Sequence, residues 1–290
     1  MRRPAASIVD VAPGGAHFNS PHAGAGGITP MDQPRERCHD AELRVAPDPD
    51  GAAAFAAEAL GGAARAAIAA RGAFHLALAG GRTPLPLYRR LAAEPALLDW
   101  SRVHVWFGDE RAVPWDHAES NYRMAREALL DHVPVPPGQV HPIRARTAYI
   151  RQDAATYGGQ MRRLVPPGPH GFPVLDLVLL GLGADGHTAS LFPRTCILHH
   201  RDRPVEANYV PQLRAWRISL TYPVLEAARE VLFLATGAEK AAAVRRTLCP
   251  GAGETLTPAG RLCAARPTRW ALDAAAAAEL PRGLARPAAP

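Results

Sequence analysis

Short, almost continuously apolar segments alternate along this chain with helix-forming stretches, and polar glycine-bearing loops repeatedly follow the apolar segments and precede the helices. Together these features predict an α/β protein: a single doubly wound, mostly parallel sheet with helices on both faces, a Rossmann-like three-layer sandwich. Strands this apolar need cover on both sides, and a hydrophobic content of 48% over 290 residues is enough to fill such a core.

Glycine and proline crowd the start of the chain (PGGAHFNSPHAGAGGITPMDQP), so residues 1–40 read as a flexible extension, and residues 283–290 as a flexible tail. Between them, 41–282 is expected to form the α/β domain. Residues 52–71 set Phe55, Leu60 and Ile68 on one helical face, with Gly61-Gly62 as a weak point and Gly72 as the stop. FHLALA (74–79) is a short strand, followed by the loop Gly80-Gly81-Arg82-Thr83-Pro84 and a helix over 85–93. VHVWF (103–107) is the next strand, Gly108-Asp109-Glu110-Arg111 a loop, and 119–131 a helix. LDLVLL (175–180) runs into the loop Gly181-Leu182-Gly183-Ala184-Asp185-Gly186-His187 and a helical turn. Strands are then predicted at 216–220, 230–235 and 268–273, and helices at 221–229, 239–248 and over the final alanine run.

Charge and cysteine content narrow the function classes. The net charge is +6, but Lys240 is the sole lysine, and the arginines are scattered without a basic block interleaved with aromatics. Nucleic-acid binding is therefore not expected. Cys38, Cys196, Cys249 and Cys263 are far apart and form no CxxC pair, which argues against a zinc ribbon or redox dithiol and for a reducing compartment. Arg2 and Arg3 are followed by no apolar signal core, and no segment reads as a membrane span, so a cytoplasmic protein without a membrane partner is expected.

In a parallel sheet, the loops leaving the strands' C-terminal ends share one edge, where ligands bind near the topological switch point. GGRTP, GDER and GLGADGH should meet there. GGRTP suits phosphate: glycine lets backbone amides approach an anion, the following helix presents N–H groups, and Arg82 and Thr83 add charge and a hydroxyl. An ordinary strand-to-helix turn is the plain alternative. Asp185 and His187, two apart on a tight loop, suit an acid-oriented histidine base, although loop histidines are often only structural. Arg111 can face an anionic or carbonyl oxygen, or the GDER charges can satisfy one another. The GxGxxG at Gly181, Gly183 and Gly186 lies too far along the chain for a dinucleotide fingerprint. No GxSxG, GxxxxGK[ST] or HExxH occurs, and His199-His200 lack ligand-spaced companions.

Four segments, LAGGRTPLPLY (78–88), WFGDERAVPWDHAESNY (106–122), LDLVLLGLGADGHTASLFP (175–193) and RISLTYPVLEAAREVLFLATGAEKA (217–241), resemble the 6-phosphogluconolactonase family in order and separation. The resemblance implies hydrolysis of 6-phosphoglucono-1,5-lactone in the oxidative pentose phosphate pathway, with no metal and no organic cofactor. It implies His187 as the base that activates water, Asp185 as its orienting partner, and Arg111 at the substrate or developing oxyanion. Gly80, Gly81, Arg82, Thr83, Asp109, Asn121, Gly183, Gly186, Arg217 and, more loosely, Arg214 would bind substrate. The partner expected is a small phosphosugar lactone, and the protein a monomer or weak homo-oligomer. Three positions depart from the family pattern: Arg82 replaces a serine of GGST, Ala184 an acidic residue, and Cys263-Ala264 a Pro-Ala element. Two rivals are weighed. Glucosamine-6-phosphate deaminases continue the DGH loop with an IAFNEP-like stretch, not Thr188-Ala189-Ser190-Leu191-Phe192-Pro193. A non-catalytic sugar-phosphate sensor would carry a DNA-binding helix pair, for which residues 1–40 have too many glycines and prolines.

Overall fold

A computed structural model of the protein describes residues 38–281, 283–284 and 286–287. Residues 1–37 of the expected extension, and much of the expected tail, lie outside the described residues. In chain order the elements are β1 (Ala41–Ala46), α1 (Pro49–Arg71), β2 (Phe74–Leu78), α2 (Leu85–Ala93), β3 (Val103–Phe107), β4 (Asp109–Arg111), α3 (Asn121–Ala128) and α4 (Ile150–Leu164). They continue with β5 (Leu177–Leu180), β6 (Val205–Val210), β7 (Ala215–Leu220), α5 (Tyr222–Ala227), β8 (Glu230–Ala235), α6 (Ala241–Leu248), α7 (Pro258–Ala265), β9 (Thr268–Asp273) and β10 (Arg286–Pro287).

The main sheet is parallel throughout, in the order β10-β1-β9-β8-β5-β2-β3. From β2 the chain steps outward to β3, then returns to the opposite side of β2 to lay down β5 and β8. The winding therefore reverses between β2 and β5, which pair through Leu76–Leu177 and Ala77–Val178. Trp106, Trp270, Phe74 and Phe233 are fully buried in this sheet. Each large aromatic removes ~150–250 Å² from water, about 4–6 kcal/mol as an upper bound.

Helix α1 starts where the Asp48 carboxylate accepts the Gly51 N–H, and ends at Gly72 in the left-handed region (φ 79°). Gly61-Gly62 does not interrupt it. Its 23 residues reach membrane-spanning length, contrary to the sequence expectation, but alanines such as Ala52, Ala56 and Ala63 are buried against the sheet and α2. Small side chains let this helix sit close to its neighbours.

Four further expectations need correction. The single sheet is accompanied by a three-stranded antiparallel one, β4-β7-β6. The GDER segment is thus a short strand, and 216–220 belongs to the second sheet. Gly108 is the joint: its N–H donates to Leu78 O in the main sheet, while its carbonyl accepts from Leu220 N in the small one, both at 2.9 Å. The final alanine run turns instead of forming a helix, because the Asp273 carboxylate accepts N–H groups from Ala276 and Gly237. In the expected tail, Arg286–Pro287 pair beside β1. Finally, Cys38 and Cys249 form a disulfide across 211 positions, and His39 N–H donates to Leu248 O. Their distance in sequence is therefore no argument for a reducing compartment; the chain brings them together only where β1 begins and α6 ends.

Candidate active site

A cavity of about 450 Å³ opens at the C-terminal ends of β2 and β5, at the reversal point of the sheet. The three sequence-distant loops do converge there: Gly80, Gly81, Arg82 and Thr83 on one wall, Asp109 and Arg111 on the second, Gly183 and His187 on the third.

The loop after β2 is held from behind. Tyr88, fully buried on α2, donates its hydroxyl to Ala79 O at 2.7 Å. Gly80 has no room for a side chain, since a Cβ there would lie 2.1 Å from Asn121 Oδ1. The N-terminus of α2 offers an anion less than the sequence implied. Pro84 and Pro86 have no N–H, and Leu85 N–H already donates to Arg82 O. Charge at this wall therefore comes from side chains, foremost the exposed Arg82.

On the third wall, His187 Nδ1 lies 2.5 Å from Asp185 Oδ1, and His187 N–H donates to the same oxygen. The His187 ring stacks on Phe192 at 3.9 Å between centroids. Partial burial opposes ionisation of Asp185, but the hydrogen bonds and charge of His187 outweigh it and hold this carboxyl below its ordinary pKa. An ionised Asp185 keeps the imidazole proton on Nδ1 and leaves Nε2 as the basic atom. Close packing fixes this ring further, because a Cβ on Gly183 would meet His187 Nδ1 at 2.0 Å. The loop is anchored by Ala259 N–H on Gly186 O and by the Arg246 guanidinium on Ala184 O.

On the second wall, Asp109 is buried and accepts from Ser190 Oγ at 2.6 Å and from Asn121 Nδ2. Glu110 points away from the cavity. Fully buried, it accepts N–H groups from Arg111, Asn121 and Tyr122 and the Ser120 hydroxyl, pinning β4 to the start of α3. Burial raises its pKa against the pull of those bonds. The sequence alternative, in which the GDER charges satisfy one another as an ion pair, is therefore not what forms. Arg111 donates to Glu119 O and stands opposite Arg217 across the β4–β7 pairing. Burial, with the neighbouring Arg111 charge, lowers the Arg217 pKa below the ordinary value.

Three of the expected substrate contacts do not line the cavity. Arg214 is an exposed residue in the left-handed region (φ 47°) at the β6–β7 turn, and Leu213 lines the cavity instead. Asn121 sits behind Gly80 and Asp109, and Gly186 packs on Thr257. Conversely, Lys240, Glu239 and Ser190 line the cavity without having been singled out. For Lys240 a signal existed: it is the one lysine in an arginine-rich chain. Among the described residues, no group of three or more His, Cys, Asp or Glu side chains is placed to hold a metal ion.

Comparison with known proteins agrees with this architecture. Residues 47–270 match the family model of glucosamine-6-phosphate isomerases/6-phosphogluconolactonase. The 6-phosphogluconolactonase of Nostoc sp. is 41% identical over 214 residues, 74% of this chain and 88% of its own. That of Streptomyces coelicolor is 42% identical over 230 residues, 77% of this chain and 88% of its own. The solved structure of 6-phosphogluconolactonase from Trypanosoma brucei superposes with a TM-score of 0.75 at 31% identity, covering 84% of this chain and 100% of its own. The chain belongs to the glucosamine-6-phosphate isomerase/6-phosphogluconolactonase family.

Proposed function

We propose that this protein hydrolyses 6-phospho-D-glucono-1,5-lactone to 6-phospho-D-gluconate, the lactone-opening step of the oxidative pentose phosphate pathway. The observation that supports it best is the Asp185–His187 pair, at 2.5 Å, beside a cavity whose other walls present Arg82, Arg111, Arg217 and Lys240. A lactone is an activated ester, so a positioned base and an anion-binding wall suffice for its opening.

In this reading His187 Nε2 takes a proton from water as the water oxygen bonds to the lactone carbonyl carbon. Arg111 faces the oxyanion of the tetrahedral intermediate. When the ring C–O bond breaks, the departing oxygen receives the proton from His187, giving the acid and restoring the base. A base so placed contributes ~10²–10⁴-fold, and donors at the oxyanion a comparable factor. Arg82, Arg217 and Lys240 hold the phosphate, whose remote binding energy orients the carbonyl. Asp109, kept in place by Ser190 and Asn121, is offered to sugar hydroxyls. All these groups come from one chain, so a monomer is competent. We place the reaction in the cytoplasm, where charge retains phosphorylated sugars.

The test is a coupled assay in which the lactone is generated in situ and 6-phosphogluconate dehydrogenase reports the acid through NADPH, with spontaneous opening subtracted. Acceleration by the wild type and its loss in His187→Ala support the assignment. A folded wild type that leaves the lactone untouched but releases ammonia from glucosamine 6-phosphate replaces it with the deaminase reading.

A further inference from the structure

A second and larger concavity, about 820 Å³, lies between α2 and α3 on the outer side of Arg82. Its rim bears Arg82, Arg89, Arg123 and His132 against a single carboxylate, Glu127. That carboxylate is already engaged by Arg123 at 2.6 Å. Neither the Arg82 nor the Arg89 guanidinium has a hydrogen-bond or ion-pair partner among the described residues. The floor is apolar: Leu85 and Ala92 from α2, Met124 and Ala128 from α3.

We propose that this groove is an accessory binding site for a nucleoside phosphate. Two guanidiniums in one lining, unpaired among the described residues, suit a phosphate group, which accepts charge-assisted hydrogen bonds from them. A bare sugar phosphate leaves the floor unused. The apolar residues Leu85, Ala92, Met124 and Ala128 instead suit a planar base, with the Met124 thioether available to the ring. The volume falls within the ~300–1,000 Å³ usual for small-molecule sites.

Arg82 also lines the catalytic cavity, so the two sites share one side chain. A nucleotide that draws the Arg82 guanidinium outward weakens phosphosugar binding. By linkage, the phosphosugar weakens the nucleotide by the same factor.

The test is calorimetric titration of the full chain with ADP, with adenosine and inorganic pyrophosphate as separate arms, repeated with 6-phosphogluconate saturating the catalytic cavity. ADP is expected to bind with a Kd in the range of about 10 μM to 1 mM, tighter than either fragment. Arg89→Glu, on an exposed helix position, is expected to weaken ADP at least about tenfold while leaving the lactonase kcat unchanged. 6-Phosphogluconate and ADP should each weaken the other by one common factor in the wild type. Absence of ADP binding, or binding indifferent to Arg89→Glu, overturns the site. Pyrophosphate binding as tightly as ADP overturns the nucleoside assignment. ADP displaced outright by 6-phosphogluconate, with no effect of Arg89→Glu, puts the nucleotide in the catalytic cavity and equally overturns it. An Ala92→Glu variant, which adds a carboxylate to the floor, should repeat the Arg89→Glu result if the groove is the site.

Discussion

Arg111 and Arg217 face each other directly across the antiparallel pairing of β4 and β7, two like charges at adjoining positions on a cavity wall. Opposed like charges destabilise a strand pair; burial first, then the Arg111 charge, lowers the Arg217 pKa. The arrangement is useful once an anion lies between them. Arg217→Gln is therefore expected to raise the melting temperature of the unliganded protein by about 1–2 °C. The same variant should lose most of the stabilisation that 6-phosphogluconate gives the wild type. Thermal melts with and without the acid check both signs; a lower melting temperature without ligand counts against the repulsion.

Arg111→Ala is expected to act on kcat more than on KM, because the oxyanion exists only during reaction. The fall in kcat should be about 10²–10³-fold. Steady-state kinetics over a lactone range decide it, and a change confined to KM makes Arg111 a ground-state phosphate contact instead.

Gly183→Ala tests the geometry around His187 without touching its chemistry. The added methyl would lie 2.0 Å from His187 Nδ1 and 2.7 Å from Asp185 Oδ1, so the pair must shift from its present geometry. Activity should fall toward that of His187→Ala, while stability drops by no more than ~1–3 kcal/mol. Circular dichroism and the coupled assay, run on the same preparation, separate the two effects.

Glu110 satisfies four donors with two oxygens, two on each. Glutamine keeps the shape but turns an NH₂ toward two of them. Glu110→Gln should cost ~1–3 kcal/mol, seen as a melting temperature about 3–10 °C lower. An unchanged melt would mean that water replaces those bonds.

Away from the cavity, His75, His104 and His141 stack in a row beside Trp106, whose indole N–H donates to His75 Nδ1. Burial first, then mutual repulsion, lowers His75 and His141 from 6.5 to about 4, although Asp176 pulls His75 the other way and Arg71 reinforces the fall. Gln160 bonds His141 Nδ1. Between the unfolded and folded values the unfolded chain binds more protons, so stability rises with pH there. The protein should be fully stabilised above about pH 6.5 and lose stability progressively down to about pH 4. Denaturant midpoints measured across that window should flatten in His141→Gln.

The legible parts of this fold are those where local chemistry and topology agree. GGRTP and GLGADGH could be placed at one edge because each follows a strand too apolar to be anything but buried. The strand Asp109–Arg111 was opaque, since three polar residues have no periodicity and its partner lies far along the chain. In β6, the polar Glu206 and Asn208 are buried and the aromatic Tyr209 is exposed, the reverse of what patterning reads. Arg214 was misplaced for a backbone reason: the left-handed turn at that residue aims Leu213, not the guanidinium, at the cavity. Lys240 reaches the site only because β8 delivers its loop beside β5, a fact of strand order that no local motif encodes.

The solitary lysine has a practical consequence for anyone handling this protein. Apart from the chain's α-amino group, Lys240 Nζ is the one aliphatic amine in the sequence, and it sits on the cavity wall. An amine-directed acylating reagent thus finds a single side-chain target, already at the place of interest. The extent of labelling becomes a direct gauge of occupancy, and a tag introduced by such chemistry would block the very cavity it was meant to leave alone.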